Sequence, residues 1–244
     1  MMANWVVLDS VAHRTLRVDS TPSARFGNQV GMVAVVPREY ARLVAHYPIF
    51  FRKNGETGQF EPGALLGFAN DENLFLRDEV WASAYVPLQV QRQPFRVAEQ
   101  RAAAGAVQAG GLAVTLDLES PRVGEMRGER LFLEDGQPSA YLTKIADVLS
   151  ALVDGARAAF EFPARLASLG LIESLHIDVE FVDGSERKLE GLYSINPEKL
   201  HALPADDLIA LRDLGYLEWA YVQIASLAHV SGMVAEKNLR LSGG

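Results

Sequence analysis

The chain has 244 residues, 49% of them hydrophobic and 22% charged, which places it among ordinary globular proteins long enough to bury one large core or two smaller ones. Lys plus Arg is 23 against 31 Asp plus Glu, a formal net charge of −8 with no long basic run, which argues against nucleic acid as a partner. There is no Cys, which excludes disulfides, thiolate metal sites and a cysteine nucleophile.

The opening Met1-Met2-Ala3-Asn4-Trp5-Val6-Val7-Leu8-Asp9 lacks a basic lead, and its apolar run is too short for a signal-peptide core, so a cytoplasmic location is expected. Between there and Phe95 the chain is punctuated by Pro22, Pro37, Pro48, Pro62, Pro87 and Pro94, with short β-branched or aromatic runs between them. That pattern predicts strands at 15–18, 31–36, 49–53, 64–68 and 84–88, with Asn54-Gly55-Glu56-Thr57-Gly58 closing a hairpin between the third and fourth. Pro37 to His46 reads as one short helix with Pro in its first turn. From Glu99 to Gly111 the composition turns to Ala, Gly and Gln, the signature of a flexible segment. A strand at 112–118 follows.

Ser139 can cap a helix whose apolar positions Leu142, Ile145, Ala146, Leu149, Leu152 and Val153 define one buried face; it is expected to run to about Ala159 and to stop or kink at Pro163. Arg157, Glu161 and Arg165 interrupt this apolar stretch and Glu218 the C-terminal one, so neither reaches the roughly 18 to 20 apolar residues of a membrane span, and the protein is not expected to be membrane-integral. Residues 175–182 alternate, turn at Asp183-Gly184-Ser185 and resume at 188–195, a β-hairpin. Helices are expected at 206–214 and, after a stop at Gly215, from Glu218 to about Ala235, with Leu217, Tyr221, Ile224 and Leu227-Ala228 as the apolar stripe. No internal repeat is visible. The elements predict an α+β fold: a mixed, mostly antiparallel sheet with a central helix, a late hairpin and a helical C-terminal tail. A single domain over 1–244 is expected, with a β-rich half 1–98, the flexible segment 99–111 and an α+β half 112–244.

The aromatic stretch carries the strongest signature: Tyr47-Pro48-Ile49-Phe50-Phe51, Leu66-Gly67-Phe68, Glu72-Asn73-Leu74-Phe75, Trp81, Tyr85-Val86-Pro87, Arg92 and Pro94-Phe95. Together with Gly191-Leu192-Tyr193-Ser194-Ile195, Lys199-Leu200, Leu214-Gly215-Tyr216-Leu217 and Ala225-Ser226-Leu227, it resembles the SapC family over nearly the whole chain, least so from Arg96 to Gly111. The resemblance implies a soluble bacterial protein associated with surface-layer or surface-assembly loci. It brings no catalytic residue set.

Other constellations are weaker. His176-Ile177-Asp178 with His229 and Arg240 has the residue types of a non-haem iron and 2-oxoglutarate oxygenase, though His229 falls on a predicted helix where that fold needs a strand. Asp117, Glu119, Glu134 and Asp135 lack calcium-loop spacing and read as turn residues. Ser226 and His229 lie one helical turn apart without a nucleophile elbow. Gly63 to Gly67 matches no nucleotide-binding motif, and His13, His46 and His201 stand alone in sequence.

Within the aromatic stretch, Phe50, Phe68, Phe75 and Trp81 serve a core in the plainer reading. In the functional one, Tyr85, Arg92 and Phe95 frame a groove around Trp81, and Asn73 orients the ligand. The leading expectation is therefore a non-catalytic, SapC-like accessory protein that binds a peptide or protein partner in a surface-layer or export-related pathway, with Asn73, Trp81, Tyr85, Arg92 and Phe95 as binding residues and no cofactor or metal. The alternatives are the oxygenase, using His176, Asp178 and His229, and a structural subunit forming a homo-oligomer through its apolar C-terminal helix.

Overall fold

The structure is a computed structural model that describes residues 3–98 and 107–243. Its strands are β1 (Trp5–Val7), β2 (Arg17–Val18), β3 (Met32–Ala34), β4 (Ile49–Lys53), β5 (Phe60–Leu65), β6 (Leu76–Arg77) and β7 (Val80–Trp81). There follow β8 (Phe95–Ala98), β9 (Gln108–Ala109), β10 (Leu112–Asp117), β11 (Val123–Gly124), β12 (Glu129–Arg130), β13 (Ile172–Glu180) and β14 (Glu186–Ile195). The helices are α1 (Tyr40–Leu43), α2 (Leu88–Gln91), α3 (Ala140–Ser168), α4 (Pro197–His201), α5 (Ala205–Asp213), α6 (Tyr216–Ser226) and α7 (His229–Ser242). This is an α+β fold with antiparallel sheets, as the patterning predicts.

The chain divides into two compact units, each gathered from three segments: 1–28, 78–80 and 88–154 in the first, and 29–77, 81–87 and 155–244 in the second. In the first unit β10 is the organising strand, pairing antiparallel with β1, β8 and β9. A second, three-stranded sheet runs β11-β2-β12. The core is Leu8, Val18, Phe95, Val114, Leu116, Leu131 and Phe132 packed under Leu142, Ile145 and Leu149 of α3, the face that the helical spacing marks. The Ser139 hydroxyl accepts from the Leu142 amide at 3.2 Å and caps α3. Residues 99–106 of the expected flexible segment lie outside the described residues. Its described remainder is a tight hairpin, with Ala109 opposite Leu112 and both Gly110 and Gly111 at positive φ, the two-residue turn that only glycine-like backbones adopt without strain.

In the second unit one antiparallel sheet is ordered β13-β14-β4-β5-β3. The Asn54 side-chain carbonyl accepts from the Glu56 and Thr57 amides and closes the β4–β5 hairpin where the sequence places it. β5 begins at Phe60, earlier than expected, because Phe60 through Pro62 stay in register with Phe51 to Lys53. The expected strand at 84–88 does not form; Pro87 precedes the single helical turn of α2, whose fixed φ it suits. α3 also continues past Pro163, to Ser168. The lost ladder bond costs about 3 kcal/mol. Phe162 and Leu166, both fully buried, offset that by about 1.5–3 kcal/mol each. Around Phe162 stand Tyr40, Phe51, Tyr216 and Trp219, all with ring centroids 5.4–6.2 Å away.

The C-terminal helix is two helices. At Leu227 and Ala228 the ladder tightens to bonds onto Ile224 and Ala225, three residues back, and the chain restarts as α7. The buried face of α6 is Tyr216, Ala220, Gln223 and Ser226, while Tyr221 of the expected stripe is 51% exposed.

Candidate functional site

The second unit places a cleft of about 210 Å³ between α7 and the segments 74–77 and 82. Leu74, Phe75, Ala82 and Met233 make its walls apolar, and Leu74 and Met233 belong to the same hydrophobic cluster as Phe50, Phe68 and Leu192. Polar groups stand at its edges: His46, His229, Arg77 and Glu236. Helical spacing puts His229, Gly232, Met233 and Glu236 on one face of α7.

Hydrogen bonds hold three of these groups, His229, Arg77 and Glu236. The His229 Nε2 lies 2.6 Å from the Val44 carbonyl oxygen, which only accepts, so Nε2 carries the proton and a neutral ring keeps its lone pair on Nδ1. Glu236 accepts from Arg77 and, at 2.8 Å, from the Arg240 Nε. Arg240 in turn donates to the Asn73 and Leu74 carbonyls, fastening α7 to the wall of the cleft. Two guanidiniums thus share the Glu236 carboxylate.

Beside Phe75 lies a buried polar chain that no motif announces. The Tyr47 ring is 4.5 Å from the Phe75 ring, its hydroxyl accepts from Trp81 Nε1 at 2.7 Å, and it donates to the Tyr85 carbonyl. The Tyr85 hydroxyl donates at 2.8 Å to Glu39, a carboxylate 2% exposed that also accepts from the Val36 amide. Burial raises the Tyr85 hydroxyl pKa far above its ordinary value, and the negative Glu39 adds to the rise. Burial raises Tyr47 likewise, against donors at Ser83 and Trp81 that pull the other way. Both tyrosines are neutral hydrogen-bond donors at physiological pH.

Of the five residues expected to bind, Asn73, Trp81 and Tyr85 fall in this unit. Asn73 and Trp81 are buried and Tyr85 is half-buried; the Asn73 side-chain oxygen accepts from the Phe75 amide at 2.9 Å and so shapes the wall that Phe75 presents. Arg92 and Phe95 belong to the first unit. Phe95 has no exposed area and its ring lies tilted against Tyr141, while Arg92, half-buried, donates to the Phe95 carbonyl at 2.9 Å.

The oxygenase triad does not assemble. His176 and Asp178 are exposed on β13 while their neighbours Leu175, Ile177 and Val179 pack inward, and His176 sits at a register shift in the ladder. His229 is committed to Val44, and among the described residues no group of three His, Asp or Glu could hold a metal. Ser226 is likewise structural: its hydroxyl donates to the Gln223 carbonyl and accepts from the Ile49 amide. Asp117 accepts from the Asn4 and Glu119 amides, and Asp135 from the Gln137 amide, which are turn roles. Arg77, Glu236 and Glu39 are the residues that reading the sequence passes over, and His46 it leaves as a lone histidine; nothing in the spacing of Pro37-Arg38-Glu39 shows that the turn aims a carboxylate inward.

Among the described residues no helix is long and apolar enough to cross a membrane. A family model described as SapC matches residues 8–233. No curated protein and no solved structure matches the chain.

Proposed function

The chain belongs to the SapC family, and from that membership we propose that it is a non-catalytic accessory protein of the cytoplasm, binding a peptide or protein partner in a surface-layer or export-related pathway. The cleft under α7 supports this reading best. Its apolar walls end in a charged edge, which suits one apolar side chain of a partner whose backbone or terminal carboxylate lies against Arg77. Its volume of about 210 Å³ is below that of most small-molecule sites, which run from about 300 Å³, and is of the size of a single anchor residue. In this reading Asn73, Trp81 and Tyr85 are positioning residues that hold the Phe75 wall, while Arg92 and Phe95 lie in the first unit and do not line this cleft.

Gly232 gives a clean test. A Cβ built there meets nothing within 4 Å, so a side chain can leave the backbone at this lining position without a clash at its first atom. A photo-crosslinking residue at Ala82, exposed in the lining of the cleft, should capture a discrete partner in cells, and Gly232→Trp in the same chain should abolish that adduct while the melting temperature holds. Undiminished crosslinking in the filled variant would remove the cleft from the proposal.

A further inference from the structure

The first unit holds a second cleft, of about 320 Å³. Three arginines face it: Arg14 from the turn before β2, Arg17 from β2 and Arg130 from β12. The β2–β12 ladder sets Arg17 and Arg130 directly opposite each other. Like charges at that position oppose pairing, and the strands are only two residues long, so little sheet energy compensates. Glu125 and Glu134 also line the cleft, yet neither forms an ion pair with any of the three. Glu125 accepts instead from the Thr15 hydroxyl at 3.2 Å. Arg17 donates to the Gly128 carbonyl, while the guanidiniums of Arg14 and Arg130 have no hydrogen-bond or ion-pair partner among the described residues. Phe132, buried, and Leu133, 47% exposed, give the cleft an apolar side.

Guanidiniums converging from three segments are suited to an oxyanion, which accepts their N–H groups in pairs and removes the repulsion between Arg17 and Arg130. We propose that this cleft binds a small organic oxyanion, a phosphate monoester with a short apolar body. Three arginines against two glutamates leave a local charge of 3 − 2 = +1 within a chain of net charge −8, so the cleft draws a small anion while its two carboxylates and the rest of the surface repel an extended polyanion. The volume lies within the range of about 300–1,000 Å³ typical of small-molecule sites.

The test is an NMR titration of the ¹⁵N-labelled full chain with inorganic phosphate and with phenyl phosphate. Saturable shifts are expected at Thr15, Arg17 and Arg130, with the double variant Arg14→Gln, Arg130→Gln binding at least about tenfold more weakly, as losing charged hydrogen bonds requires. Tighter binding of phenyl phosphate assigns the ester and uses Phe132 and Leu133; equal binding assigns the site to free phosphate and overturns the ester. A separate signature comes from Arg130→Thr, which relieves the opposed pair and should raise the melting temperature by about 1–3 °C while weakening phosphate binding. Shifts that never saturate, or a double variant that binds like the parent, would overturn the site.

Discussion

Tyr40 shows how a single buried atom sets a testable cost. Its side chain is fully buried, its ring meets Phe162 edge-on, and its hydroxyl has no hydrogen-bond partner among the described residues. An unsatisfied buried hydroxyl costs about 1–3 kcal/mol, so Tyr40→Phe should leave the ring contact intact and raise stability by about 1 kcal/mol in denaturant unfolding. Tyr85 is the opposite case. Its hydroxyl serves the buried Glu39 carboxylate, and a hydrogen bond to a charged group is worth about 1.5–3 kcal/mol. Tyr85→Phe should lower stability by that order, although both substitutions delete the same atom. If the two variants changed stability in the same direction, the hydrogen-bond assignment along Tyr47, Trp81, Tyr85 and Glu39 would be wrong.

Helices α3 and α7 make a similar pair, since each carries a glycine in its interior and the surroundings decide what a methyl group does there. At Gly155 a Cβ would come within 2.8 Å of the Val36 Cβ, a stem atom that cannot swing away, and at Gly232 it meets open space. Replacing a helical Gly by Ala gains up to about 1 kcal/mol of propensity, and overpacking costs about 1–3 kcal/mol. Gly232→Ala should therefore raise the melting temperature and Gly155→Ala lower it, which thermal unfolding monitored by circular dichroism would show directly. α6 adds polar seating to the ring packing of Tyr216 and Trp219 on Phe162. Gln223 donates to the Ile49 carbonyl at 2.7 Å and Ser226 accepts from the Ile49 amide at 2.9 Å, so the start of β4 is paired by side chains of a helix. That explains why an apolar stripe failed to find the whole buried face: beside Tyr216 and Ala220, the residues that dock are Gln and Ser.

Across the molecule, each unit is discontinuous in sequence, and β10 is the partner of both β1 and β8. A fragment ending at residue 111 lacks β10, so its first unit cannot form a sheet; it should give collapsed amide dispersion in ¹H–¹⁵N spectra, whereas native-like dispersion would contradict the pairing. That the chain is a single domain over 1–244 is a proposal we put forward in preference to separable halves. Much of this architecture is legible from local patterning. The α+β class, the Ser139 cap, the 54–58 turn and the late hairpin follow from periodicities and turn residues that act within a few positions of each other, and the family follows from the order of the aromatic motifs. The continuation of α3 through Pro163, the break at Leu227, the gathering of His46, Arg77 and Glu236 about one cleft, the burial of Glu39 under Tyr85 and the opposition of Arg17 to Arg130 do not. Those depend on contacts between residues tens to more than a hundred positions apart, whose packing and hydrogen-bond energies exceed the local propensities that a linear pattern expresses.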